Sequence, residues 1–242
     1  MTLDEILASL FPKGHAVAVD NEGLILGSGP LERGGVAEII GVANKTPLGV
    51  DGAIKLACKV LEIIATGASG PLLVLIDSDS QRMSKRDELL GLSEYLSHLA
   101  KCLILADMRG INTVGILYGR SAAGAFIATA LSTRTLTALP GADPEVMDLP
   151  SMSRVTKLSL DVLKEKAKST PVFAPGLDNV ARTGAVLESW DPNKSLAAQL
   201  SELLQRETVA GDRRDLLGKQ RGGRLKAADI ASRVKTLATG LG

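Results

Sequence analysis

Aromatic side chains are what this sequence has least of. Phe, Trp and Tyr make up 2% of its 242 residues, so the core must come from Leu, Ile, Val and Ala. Ring platforms for stacking bases or sugars are excluded. Two cysteines, Cys58 and Cys102, both in apolar stretches, make no disulfide framework or zinc cluster; they read as buried thiols in a reducing compartment. The two histidines, His15 and His98, have no ligand spacing. His15 reads as a half-buried strand residue and His98 as an exposed helical one. Charge of one sign is missing too, since 28 Lys+Arg against 27 Asp+Glu leaves +1. That balance gives no electrostatic case for nucleic acid. No apolar run approaches the roughly 20 residues of a membrane helix, and Met1-Thr2-Leu3-Asp4-Glu5 is acidic where a leader would be basic. The expectation is a soluble, cytoplasmic protein with no membrane partner.

What is present is a regular alternation of periods. Thr2 and Glu5 fit a capping box, with Leu3, Ile6, Leu7 and Leu10 on one helix face before Pro12. His15–Asp20 and Leu24–Leu26 flank the turn Asn21-Glu22-Gly23 as a hairpin, and Val36–Val42 reads as a further strand. Ile54, Ala57, Leu61 and Ile64 then repeat at helical spacing up to Gly67. Leu72–Ile76 is too apolar to be exposed on either side, as in a sheet covered on both faces. After a polar loop, Asp77–Ser84, a long helix carries Leu89, Leu92, Leu96, Leu99 and Leu103. A strand (113–118), a small-residue turn and helix (119–131) and another strand (134–139) follow. Strand, helix, strand, helix, strand predicts an α/β fold with right-handed crossovers and a largely parallel sheet. Residues 141–150 read as a loop, and 157–168, 194–205 and 224–241 as helices. The last has Leu225, Ile230, Val234, Leu237 and Leu241 on one side. The expected domains are 1–200 and a helical C-terminal extension, 201–242.

The most informative stretch is Tyr118-Gly119-Arg120-Ser121-Ala122-Ala123-Gly124-Ala125. A buried strand runs into a helix through residues almost without side chains, so the backbone can approach a ligand closely. Amides at a helix start are unpaired and suit an anion or a developing oxyanion. Tight helix-on-sheet packing also favours Ala and Gly, and the stretch alone leaves both readings open. A serine hydrolase is excluded: both histidines precede Ser121, against the order a nucleophile elbow requires. Gly27-Ser28-Gly29 lacks the third glycine of a dinucleotide fingerprint, and no P-loop is present. What remains is chemistry done by backbone amides, such as holding an enolate, where preorganised N–H groups lower the barrier by several kcal/mol.

From about Gly49 to Met152, element order and loops resemble the carboxyltransferase branch of the crotonase superfamily, with its ClpP/crotonase fold of ββα units. Three stretches, Leu75-Ile76-Asp77-Ser78-Asp79-Ser80-Gln81, Tyr118 to Ala125 and Leu139-Pro140-Gly141-Ala142, are similar to gamma subunits of biotin-independent malonate decarboxylases. The resemblance implies partnership with a beta subunit of related fold and with an acyl carrier protein. Malonyl held on a phosphopantetheine-type arm would become the acetyl thioester and CO2, with no tightly bound cofactor and no metal. It places one amide pair at Ala123 and Gly124, with a second contribution from Ser80 and Gln81. Gly119, Arg120, Ser121, Ala122, Arg82 and Met83 are then the substrate-side residues. Where carboxyltransferases have two consecutive glycines, Ala123 stands at the first, and a left-handed conformation there is costly for alanine. The alternatives are a carboxyltransferase half working with biotin and a non-catalytic scaffold for the beta subunit. Arg82, Arg86 and Arg120 read either as solvated charges or as contacts to the malonyl carboxylate or the pantetheine phosphate. Residues 201–242 carry nine Lys+Arg against five Asp+Glu, the polar face of terminal helices or a docking surface for an acidic carrier.

Overall fold

The computed structural model describes residues 1–171, 174–206 and 211–240. The chain opens with α1 (Leu3–Leu10), β1 (Ala16–Val19), β2 (Leu24–Pro30), β3 (Val36–Lys45), α2 (Val50–Thr66) and β4 (Leu72–Ser78). Next come α3 (Lys85–Leu89), α4 (Leu92–Met108), β5 (Thr113–Ala122), α5 (Ala123–Ala128), β6 (Thr135–Ala138) and β7 (Asp143–Glu145). Then follow α6 (Leu149–Thr156), α7 (Leu160–Ser169), α8 (Leu177–Arg182), β8 (Glu188–Ser189), α9 (Leu196–Gln205), α10 (Arg214–Gln220) and α11 (Ala227–Ala238). Two compact units result: Met1–Val146 with Glu188–Thr208, and Met147–Leu187 with Val209–Gly242. The division expected after residue 200 falls inside α9, which lies within the first unit.

Among the described residues the strands form one eight-stranded sheet, ordered β1-β2-β3-β4-β5-β6-β8, with β7 on the far end of β5. The β1–β2–β3 pairings are antiparallel and the rest parallel. β4 lies between β3 and β5, and Leu72–Ile76 are all buried because helices cover both faces. On one face Ile39, Leu73, Leu75, Val114 and Ile116 meet Ile6, Leu7 and Leu10 of α1 and Leu196, Leu200 and Leu203 of α9. On the other, α2 and α4 pack together, α2 against β3 and α4 against β5. The Thr2/Glu5 capping box forms as expected.

Several details differ from the sequence reading. In α2 the buried face is Val50, Ala53, Leu56, Ala57, Val60 and Ile63, while Ile54 and Leu61 are exposed. That helix is apolar on two neighbouring stripes, and tertiary contact selects the one where small alanines allow close approach. Cys58 consequently faces outward and is exposed, whereas Cys102 is buried. His15 is exposed, just ahead of the edge strand β1. The long helix breaks at left-handed Gly91, so Leu89 belongs to the separate α3 and is exposed. Within the stretch read as a loop, Asp143–Glu145 is a strand, Pro144 included, because it lies beside β5 and pairs on one side only. Pro150 lies in the first turn of α6, second after Leu149, instead of extending the loop, with Asp148 capping the helix. Lys157 is the left-handed end of α6, and α7, capped by Ser159, starts at Leu160, three residues later than expected. The last helix starts later than expected, at Ala227, so Leu225 precedes it; Leu225 and, within α11, Ile230, Val234 and Leu237 are 64%, 57%, 59% and 66% exposed, so that stripe is not core. Leu241 lies outside the described residues.

Candidate functional site

The sequence-predicted turn sits where the sheet ladder is irregular. Between Ile76 and Ser78, β4 advances two residues while β5 advances four, from Leu117 to Ser121. On the other side β3 advances three, from Val42 to Lys45. Both neighbours therefore bulge opposite Asp77. On β3 the extra length is taken up by Asn44 and Lys45 in the left-handed region, φ 60° and 54°. Asp77 Oδ2 accepts from Lys45 N at 3.2 Å and its Oδ1 from Arg120 N at 2.9 Å. Gly119 has no room for a side chain: a Cβ would stand 2.2 Å from Asp77 Oδ1.

Past this bulge β5 continues to Ala122, tied to β7 by Arg120↔Asp143 and Ala122↔Glu145. The expected turn at Gly119 is thus a strand until Ala122, and the helix after it, α5, starts at Ala123. Ala123 has φ 50°, a conformation that costs a residue with a Cβ about 1–2 kcal/mol. The next amide, Gly124 N, donates to Gln81 Oε1 at 2.8 Å. A Cβ on Gly124 would lie 3.1 Å from that oxygen and 3.2 Å from Leu96 Cδ1. The structure thus brings together two of the predicted loops, Ser80–Met83 and Gly119–Gly124, through the Gln81–Gly124 bond. Ser80 Oγ donates to the Gln81 carbonyl, Gln81 pairs with Leu48 in an isolated bridge, and Met83 is 79% exposed beside the Gln81 amide.

Both arginines of the predicted site are engaged by carboxylates of this chain. Arg82 Nε and Nη2 reach Asp87 at 2.6 and 2.9 Å, and Nη2 also reaches Asp51. Asp87 is fully buried and accepts from Ser84 Oγ at 2.6 Å and from Val50 N at 3.0 Å. The Arg82 guanidinium, ahead of these hydrogen bonds, holds the Asp87 carboxyl well below the usual carboxylate range. Arg86 pairs with Asp51. Arg120 meets three acids: Nη1 bonds Asp143 at 3.2 Å, Nη2 bonds Glu145, and Nε stands 2.7 Å from Asp79 as an ion pair without hydrogen-bond alignment. Ser121 is fully buried, and its hydroxyl has no hydrogen-bond partner. Burial pushes the Tyr118 phenol up, with the Asp77 charge adding to it, and its hydroxyl faces the Val42 carbonyl. Among the described residues, no group of three or more His, Cys, Asp or Glu could hold a metal ion, and no helix is long and apolar enough to cross a membrane.

Asp77 is the residue that sequence reasoning passed over. It lies within Leu75–Gln81, but nothing local marks it; its amide partners lie 32 and 43 residues away.

The sequence matches the malonate decarboxylase gamma subunit family over residues 43–238, from the end of β3 to α11. A curated relative, the malonyl-S-ACP:biotin-protein carboxyltransferase MADD of Malonomonas rubra, is 29% identical over 168 residues. That match takes in 64% of this chain and 58% of the relative, so the chain spans less than two thirds of that protein's length. One chain of a Pseudomonas malonate decarboxylase hetero-tetramer in complex with coenzyme A superposes with TM-score 0.78 at 24% identity, covering 98% of both chains. A chain of the Pseudomonas MdcD-MdcE hetero-dimer gives 0.75 at 21% identity, covering 98% of this chain and 99% of that one. The shared architecture is the crotonase-like α/β fold expected from the sequence. With the matched segment running through the parallel strands from β4 on, both predicted loops and the terminal helices, the chain belongs to the malonate decarboxylase gamma subunit family.

Proposed function

We propose that this chain is one half of a malonyl-thioester decarboxylase. With a beta-type subunit it converts malonyl on the phosphopantetheine-type arm of an acyl carrier protein into the acetyl thioester and CO2. The observation that carries the reading is the strained turn at Ala123, φ 50°, which sets the amide run through Gly124 at the end of a buried strand. In this mechanism the bond between the α-carbon and the carboxylate breaks, and CO2 leaves. The electron pair moves toward the thioester oxygen as an enolate, and a proton from water then adds to the carbon. The amides at Ala123 and Gly124 hydrogen-bond that oxygen as its charge grows, the point at which preorganised donors matter most. The Gln81 side-chain carbonyl, now on Gly124 N, occupies the place the substrate oxygen takes.

Arg82 and Arg120 are held by Asp87 and by Asp79, Asp143 and Glu145, so this reading gives the malonyl carboxylate neither arginine as a partner. A carboxylate left without a counter-ion and stripped of most of its hydration loses CO2 more readily. The basic excess of residues 201–242 suits encounter with an acidic carrier protein.

The test is to purify the chain with its beta-type partner and measure CO2 release from malonyl thioester. Turnover without biotin and without inhibition by avidin is expected, and the chain alone is expected to be inactive. Robust decarboxylation by the single chain would overturn the two-subunit reading. A second reading, a carboxyltransferase half, is favoured by the name of the Malonomonas rubra relative; avidin-sensitive turnover that requires biotin would select it.

A further inference from the structure

We infer that Asp77 is a positioning residue for the amide turn at Ala123–Gly124, an assignment that rests on the reading just proposed. Strand ladders normally satisfy their own amides, and here they cannot. Opposite Asp77 both neighbouring strands carry extra residues, one on β3 and two on β5. The Lys45 and Arg120 amides are thereby withdrawn from the ladder, and one carboxylate takes both, Oδ2 from the first and Oδ1 from the second. Its place is fixed from a third side by Gly119, where any Cβ would stand 2.2 Å from Oδ1.

The two gripped segments meet again at the turn. On the β5 side, Arg120 to Ala122 is paired to β7 without slack, and Ala123 and Gly124 follow directly. On the β3 side the Ser78 hydroxyl donates to the Thr46 carbonyl at 2.8 Å, and Leu48 pairs with Gln81. Gln81 then accepts from Gly124 N. Asp77, Lys45, Leu48, Gln81, Gly124 and Arg120 form a closed ring of contacts, in which the Asp77 carboxylate on β4 grips the backbone of both neighbouring strands. Moving its carboxylate displaces the reacting amides relative to β3 and β4, and misplacement by about 1 Å can cost on the order of 100-fold in rate.

Asp77→Asn keeps the size and one acceptor oxygen but turns an NH2 toward one of the two amides. In the complex with the partner subunit, this variant is expected to lower kcat about 10- to 100-fold while KM for the malonyl thioester stays within about twofold. Amide hydrogen exchange is expected to quicken at Lys45 and Arg120 while the Leu72–Ile76 amides stay protected. Gly119→Ala displaces the same carboxylate from the opposite side and should reproduce the pattern. The double variant should then be no worse than the poorer single one, because both act through one group. Unchanged exchange at Lys45 and Arg120, or quickened exchange with kcat intact, overturns the assignment. Loss of assembly in both single variants also overturns it, since Asp77 would then be a stability element. If the wild-type complex releases no CO2 from malonyl thioester, the proposed function falls, while the exchange result still reports whether Asp77 pins the two strands.

Discussion

Two arginine-centred regions lie on this half of the sheet, and they are built in opposite ways. Around Arg82 the polar accounting closes. The buried Asp87 carboxylate receives two guanidinium nitrogens, a serine hydroxyl and the Val50 amide, and the result is a fixed start for α2. Around Arg120 it does not close. One guanidinium faces three carboxylates, the next side chain carries a buried hydroxyl with no partner, and Ala123 holds a left-handed backbone three residues on. Strain and unmet polar groups persist only where surrounding structure enforces them, and they gather at sites of function. The first region holds the scaffold; the second is where the amides of the proposed chemistry are aimed.

The comparison breaks most visibly at Arg82. Arg82→Ala leaves a fully buried carboxylate with Ser84, Val50 and only the more distant Arg86 guanidinium, Nη1 at 3.7 Å, as partners and should cost about 3 kcal/mol of stability, read from denaturant melts of the purified protein. A loss below about 1 kcal/mol would place Asp87 among ordinary surface pairs. Gly124→Val comes next. Its added carbons meet Gln81 and Leu96 and should lower CO2 release by the complex on the order of 100-fold with assembly intact on size exclusion. Retained turnover would favour a scaffold role for this chain.

Acid titration sharpens the contrast further. The folded-state pKa of Asp87 is depressed, so its stabilisation is fully present above the unfolded carboxylate value of about 3.9 and is lost as pH falls toward the folded one. Wild type should therefore lose stability below about pH 4, and the slope should flatten in Arg82→Ala; parallel slopes would refute the pairing. Smallest is Ala123→Gly. Relief of the left-handed strain outweighs the entropy lost by glycine, for a gain of about 0.5–1 kcal/mol in thermal melts. A loss of stability there would show that the turn is not strained.

Much of this was legible in the residues. The all-apolar Leu72–Ile76 marked a strand covered on both faces, and the run of small residues from Gly119 to Gly124 marked a close backbone turn. The α4 stripe of Leu92, Leu96, Leu99 and Leu103 is buried as its spacing predicts. Other features escaped for physical reasons. The α2 stripe was read one residue off because that helix is apolar on two adjacent rows. β7 was missed because three residues containing a proline become a strand only when β5 lies alongside. Arg120 stands amid small residues with little near it in sequence to pair with, yet the fold brings it three carboxylates, while Arg82 reaches a buried one.

By itself the sequence determined the order of the main elements from α1 to β6, the buried faces of α1, β4 and α4 and the place where the chain runs through small residues, since periodicity and side-chain size are local properties. Tertiary structure alone decided that Asp77 would serve two strands and that Gln81 would meet Gly124. Those partners lie 32 to 43 residues apart, and no local pattern encodes which carboxylate or carbonyl a folded sheet will bring to a given amide.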